Sequence, residues 1–127
     1  MSEDSVGLVR RAYEVWNEQG PGAITSMLAP DVELHDAPQL PDAQVWRGRH
    51  LAVDRLQKVA DSVGGGHVKF LGFTEQGDAV LVDMCWELGD EAEHAQLGRV
   101  FHLVDTAGGS ITRIRVFLTE AEAVAAT

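Results

Sequence analysis

The sequence predicts an α+β domain with its helices gathered on one face of a curved antiparallel sheet. Apolar residues recur at helical spacing in three segments of the first half of the chain. From His67 onward the pattern changes to alternation with a period of two, and the turns between these later segments are short enough to force antiparallel pairing. At 127 residues the chain has the length of one domain, so helices and strands share one core across residues 1–127.

The elements follow in order. From Ser5 to Gln19, Val9, Tyr13 and Trp16 form an apolar stripe with Leu8 and Ala12 beside it, while Arg10, Arg11, Glu14 and Glu18 take the opposite face. Ser5 or Asp4 is placed to cap the helix start, and Gly20-Pro21 stops it. A short second helix carries Ile24, Met27 and Leu28 and ends at Pro30. Asp31–Asp36 alternates as a strand with Val32, Leu34 and Asp36 on one face, and 37–44, holding Pro38 and Pro41, is a loop. Gly48–Val63 is a third helix with Val53, Leu56, Val59, Ala60 and Val63 as its stripe, ended by Gly64-Gly65-Gly66. Strands then run over His67–Thr74, Asp78–Leu88, Glu93–Val104 and Ser110–Leu118. The order is α-α-β-α-β-β-β-β.

Charge excludes several classes of function. Ten Lys and Arg against twenty Asp and Glu give a net charge of −10, which disfavours nucleic acid and anionic membranes as partners. A hydrophobic content of 45% argues against disorder. One cysteine, Cys85, allows no internal disulfide and suits a reducing, cytoplasmic compartment. The first residues lack the basic and apolar runs of a signal peptide, and no apolar stretch is long enough to span a bilayer.

Alternation sorts the sheet into two faces. Val80, Val82, Met84, Trp86 and Leu88 share the apolar face with Ile114, Val116 and Leu118. In the strand between, Leu97, Arg99, Phe101 and Leu103 are expected on that same face, and Val100, His102 and Val104 on the other. The other face mixes charges with apolar groups, which suits either a partner subunit or solvent.

Three stretches then carry a resemblance: Val9-Arg-Arg-Ala-Tyr-Glu-Val-Trp-Asn-Glu-Gln-Gly, Met27-Leu-Ala-Pro-Asp-Val-Glu-Leu-His-Asp and Trp46-Arg-Gly-Arg. With Arg99-Val-Phe-His-Leu-Val-Asp, Ile114-Arg-Val-Phe-Leu and Glu120-Ala-Glu-Ala, they resemble the SnoaL-like and ketosteroid-isomerase-like family of the nuclear-transport-factor-2-like superfamily. The resemblance implies a cone: a bent sheet wrapped round helices, a deep apolar pocket and a homodimer through the outer sheet face. It leaves function open, because this fold hosts isomerases, cyclases, dehydratases, epoxide hydrolases and non-enzymatic domains.

Carried over residue by residue, the resemblance puts Asp36 at the general-base position. There an apolar wall disfavours the charged carboxylate and makes it a better base. The alternative is that Asp36 only starts the turn before Pro38. Tyr13 lies near the position of the family's hydrogen-bonding tyrosine but, aligned through Asn17, falls one residue late, a rotation of about 100° on a helix; the alternative is a core tyrosine. Arg99 stands where the isomerases hold a protonated aspartate. It can stabilise an oxyanion or pair with Asp36, but it cannot mimic a neutral acid, so ketosteroid isomerisation itself is not expected.

The ligand pocket is expected to be lined by Trp16, Trp46, Val82, Met84, Trp86, Phe101, Ile114 and Val116. His35 alternates away from Asp36, and His50 begins the third helix. His67, His94 and His102 lack metal-ligand spacing, and no cofactor motif is found, so neither metal nor cofactor is expected. The leading expectation is cofactor-independent acid–base chemistry on a small apolar carbonyl compound, with Asp36 as base and Arg99 or Tyr13 stabilising the enolate. Its alternatives are a binding module without chemistry and a dimeric scaffold whose interior is filled by its own side chains.

Overall fold

A computed structural model describes residues 2–62, 68–86 and 99–127. The expected features at Val63, Gly64-Gly65-Gly66, His67, Leu88, Glu93, His94 and Leu97 lie outside those residues. Helix α1 (Ser2–Gln19) is followed by a 3₁₀ helix (Pro21–Met27), β1 (Leu28–His35), β2 (Val45–Arg47) and α2 (Arg49–Ser62). Then come β3 (Val68–Gln76), β4 (Ala79–Trp86), β5 (Arg99–Ala107), β6 (Ser110–Phe117) and a C-terminal helix α3 (Glu120–Ala125). Three helical segments precede the long run of strands, and the six strands form one curved, open sheet in the order β2-β1-β6-β5-β4-β3. All neighbours are antiparallel except β1 and β6, which are parallel.

The α1 stripe is the one the sequence marks: Val9, Ala12 and Tyr13 are fully buried, and Trp16 nearly so. Ser5 is not its cap, because the helix begins at Ser2; its hydroxyl instead bonds Thr106 Oγ1 at 2.8 Å. Asn17 joins the helix to β3 through both main-chain groups of Val68, each at 2.8 Å. Gly20 turns the chain at φ 91°. The second helix is 3₁₀ rather than α, since Gly22, Thr25 and Ser26 are poor α-formers in so short a segment.

Strand β1 starts at Leu28, before Pro30, where a register shift separates the Leu28 pairing with β6 from the pairings beginning at Glu33. Its β2 neighbour reaches only residues 33–35, so the missing Pro30 N–H removes no ladder bond on that side. The three-residue β2 is too short to show alternation. Helix α3 is an element that hydrophobic periodicity did not mark, although Thr119 is placed to cap it: Glu122 N–H donates to Thr119 Oγ1 at 3.2 Å, and that hydroxyl donates to Glu122 Oε1 at 2.9 Å.

The register corrects one strand. Val82 pairs with His102, Met84 with Val100 and Val80 with Val104, so Val100, His102 and Val104 face the helices. Phe101 and Leu103 face outward and pack with Ala79, Leu81 and Ala123 beneath α3. Both faces of β5 are apolar, so alternation alone had no contrast by which to orient it. Part of the outer surface expected to meet a second subunit is therefore covered by the chain's own C-terminal helix. No helix among the described residues is long and apolar enough to cross a membrane.

Candidate functional site

Between α1, α2 and the inner sheet face lies a cavity of about 220 Å³, so the interior is not filled by its own side chains. Its apolar lining includes Trp16, Leu34, Ala37, Leu56, Val59, Trp86, Val100 and Val116, with Leu40 and Leu118 as further members. Four lining residues have ionisable side chains: Asp36, Arg55, Arg99 and His102.

Asp36 follows β1, two residues beyond the buried Leu34, so the strand period turns it inward, and its side chain is only 4% exposed. Oδ1 accepts from Arg55 Nε at 3.0 Å. Oδ2 accepts from Trp46 Nε1 at 2.8 Å and from the Gln44 main-chain N–H at 3.2 Å. Arg55 reaches the site from α2, one turn before Val59, with its guanidinium 5.2 Å from the Trp46 ring centroid and Nη1 3.4 Å from Asp42 Oδ2. Burial lowers the pKa of Arg55, but its bond to Asp36 and the charges of Asp36 and Asp42 reverse that effect and leave it raised.

The ion pair between Asp36 and Arg99 that the sequence allows is absent. Arg99 lies on the outward side of β5, with Nε donating to Asp83 Oδ1 at 3.1 Å and Nη2 to Asp83 Oδ2 at 2.9 Å. Its guanidinium lies 5.1 Å from the Phe101 ring centroid, and the residue is also among those lining the cavity. Arg55 was missed because it sits on the flank of the α2 stripe, where an arginine reads as solvated.

His102 is the second missed residue, and the correction to β5 brings it into the cavity wall. Its ring stacks on Trp16 at 6.0 Å and 18°, and Tyr13 Oη lies 2.8 Å from its Nδ1. Burial depresses the imidazole to a pKa of about 4 and pushes the Tyr13 hydroxyl far above its usual value, so both groups are neutral near pH 7. Among the described residues Nδ1 is the one hydrogen-bond partner of the Tyr13 hydroxyl. A hydroxyl that donates to Nδ1 places the imidazole hydrogen on Nε2, and one that accepts from Nδ1 leaves Nε2 as an acceptor. No described residue bonds Nε2. Tyr13 itself is fully buried behind His102 and does not line the cavity.

The other expected lining residues divide. Trp16, Trp86 and Val116 line the cavity. Val82, Met84 and Ile114 are buried in the same core but are not in the cavity wall, and Trp46 touches the site through its bond to Asp36. Phe101 is on the opposite sheet face, as the β5 register requires. His35 bonds Glu33 Oε1 at 2.9 Å, the main reason the Glu33 carboxyl lies below its ordinary pKa. His50 is exposed and borders a separate open groove beside Arg49. Among the described residues no cluster of His, Cys, Asp and Glu could hold a metal ion.

Register fixes the spacing of the two inward polar groups. His35 pairs with Arg115, so Asp36 lies level with Val116, and Val116 pairs with His102. Asp36 and His102 thus flank Val116 two strands apart, roughly 10 Å between backbones at about 4.8 Å per strand.

Structure comparison finds the same fold in a nuclear-transport-factor-2-like protein of unknown function from Mesorhizobium loti, at 19% identity and TM-score 0.71, covering 93% of each chain. TerC, co-crystallised with polyporic acid, is 18% identical with TM-score 0.66, covering 94% of each chain. A protein of ketosteroid isomerase-like fold from Catenulispora acidiphila, in complex with trimethylamine, is 17% identical with TM-score 0.63, covering 93% of this chain and 89% of its own. Comparison with curated proteins gives no match. The sequence model of the SnoaL-like domain matches residues 9–114, most of the chain, and this chain belongs to the SnoaL-like family.

Proposed function

We propose that the protein binds a small carbonyl compound in the cavity and moves a proton on it without a cofactor, as an isomerase, cyclase or dehydratase does. The observation that carries this reading is a neutral His102 in a mostly apolar wall, with Nδ1 bonded to Tyr13 and no described residue bonded to Nε2, which in this reading carries the imidazole hydrogen. A neutral imidazole donor in a low-dielectric cavity stabilises negative charge developing on a carbonyl oxygen. Arg99 and Tyr13 thereby give way to His102 as the enolate-stabilising group, with Tyr13 as its positioning residue.

Asp36 is the base in this scheme. A carboxylate offers about four acceptor sites. Arg55, Trp46 and Gln44 fill three, and Oδ1 keeps one for a substrate proton. The proton leaves the carbon α to the carbonyl for Asp36 Oδ1, the electron pair moves onto oxygen as an enolate bonded to His102, and the proton returns to the same or another carbon. The spacing across Val116 suits a substrate of one ring. A homodimer through the sheet surface that α3 leaves uncovered belongs to the same proposal.

One observation favours capture without chemistry: Arg55 already neutralises Asp36. Deuterium exchange separates the two. Acetophenone, 1-indanone and 3-cyclohexen-1-one are incubated with the protein in D₂O, and loss of α-proton NMR signal is followed. Exchange above the buffer rate that Asp36→Asn and His102→Phe each abolish supports the proposal. Binding of these ketones with exchange at the buffer rate establishes a binding module.

A further inference from the structure

The cavity has an unusual distribution of polarity. Two of its polar groups lie deep, with His102 and the Asp36 side chain each 4% exposed, while its exposed lining residues are Arg99 and two leucines, Leu40 at 36% and Leu118 at 41%. Apolar side chains thus stand at the exposed part of the wall while the Asp36 carboxylate and the His102 imidazole are buried. Of the five large apolar residues exposed among the described residues, Leu40 and Leu118 are the two that line the cavity.

The two leucines come from separate elements that are tied together beside them. Leu40 is in the loop between β1 and β2, and Leu118 follows β6 just before α3. Gln39 Nε2 donates to Glu122 Oε2 at 2.7 Å, joining that loop to the first turn of α3. Arg99, also exposed, has its charge engaged by Asp83 and the Phe101 ring, so it does not oppose an apolar neighbour.

Volume limits what fits inside. An apolar protein cavity of about 150 Å³ takes up benzene; at about 220 Å³ this one holds a substituted ring and little more. A larger ligand must leave by the mouth. We infer that the ligand is an amphiphile that enters carbonyl end first and leaves an alkyl or aryl extension between Leu40 and Leu118, which makes these two leucines specificity-determining residues. This rests on the reading of the cavity as a carbonyl-compound site.

The test is a chain-length series: acetophenone, 4-butylacetophenone and 4-hexylacetophenone, with dissociation constants read from quenching of tryptophan fluorescence, since Trp16 and Trp86 line the cavity. The hexyl compound is expected to bind wild type about tenfold or more tighter than acetophenone, from apolar area removed from water. In Leu40→Ser with Leu118→Ser that ratio falls to about twofold, because the apolar surface that the hexyl chain would cover is gone. The two single variants carry the test if circular dichroism shows the double variant unfolded, and Val124→Ser, an exposed apolar position away from the cavity, should leave the ratio unchanged. An equal ratio in wild type and the leucine variants overturns the inference, as does a hexyl chain that weakens binding to wild type. If acetophenone does not bind wild type at all, the reading of the cavity falls and takes this inference with it.

Discussion

Tyr13 Oη and His102 Nδ1 share a 2.8 Å hydrogen bond between a helix and a strand, across 89 residues of chain and wholly inside the core. Removing the hydroxyl leaves a buried imidazole nitrogen without its partner, at a cost of about 1–3 kcal/mol. Tyr13→Phe should lower the denaturant midpoint without changing the m-value. The ¹⁵N shifts of the His102 ring should show loss of a single ring tautomer. An unchanged midpoint with unchanged ¹⁵N shifts would show that the bond does not set the tautomer.

His102 also predicts how stability varies with pH. Its folded pKa, about 4, lies below the ordinary 6.5. Between those values the unfolded chain binds a proton that the folded chain refuses, so stability falls as pH drops from 6.5 and levels off below about 4. The full loss is about 3 kcal/mol, because each tenfold weakening of proton affinity is worth about 1.4 kcal/mol. Replacing His102 with Leu should flatten this part of the profile, measured as Tm at half-unit steps of pH. A wild-type slope that survives in His102→Leu would place the titration elsewhere.

The Asp36–Arg55 pair, with side chains 4% and 13% exposed, predicts an asymmetric mutational cycle. Arg55→Met leaves a buried carboxylate facing only neutral donors and should cost about 3 kcal/mol, as expected for breaking a buried pair from one side. Adding Asp36→Asn to Arg55→Met should recover part of that loss, because the uncompensated charge is gone. Chemical denaturation of the four proteins measures the coupling. A loss below about 1 kcal/mol for Arg55→Met would place the pair with ordinary surface bridges.

Gly48 joins β2 to α2 at φ 92°, its N–H donating to Val32 O at 2.8 Å. A Cβ there meets no atom within 4 Å, so the cost of Gly48→Ala is backbone strain alone, about 1–2 kcal/mol. Gly22, in the 3₁₀ helix, also has open space around a Cβ but has no positive φ, and Gly22→Ala should be neutral or slightly stabilising. Thermal melts of the two variants should therefore move apart. Equal Tm values would show that the turn relaxes around an added Cβ.

Local patterns determined much of this protein in advance. The i, i+4, i+7 spacing of Val9, Tyr13 and Trp16 fixed the buried face of α1, and alternation fixed the inward faces of β4 and β6. Asp36 was legible at the inner end of β1 because its parity matches Val32 and Leu34. These features depend on neighbours in the chain, and the periodicity of a helix or strand records them directly.

Tertiary structure decided the rest. The facing of β5 depends on which residue of β4 it meets, and with apolar side chains on both faces only the Val82–His102 pairing selects one. That choice moved Phe101 under α3 and His102 into the cavity. The partner of Asp36 depended on α2 crossing the end of β1, which brings Arg55 to within 3.0 Å while Arg99 turns to Asp83. Sequence alone thus determined the SnoaL-like architecture and one acid at the cavity wall. Which basic groups meet that cavity was set by long-range packing, because their neighbours are fixed only once the sheet closes on the helices.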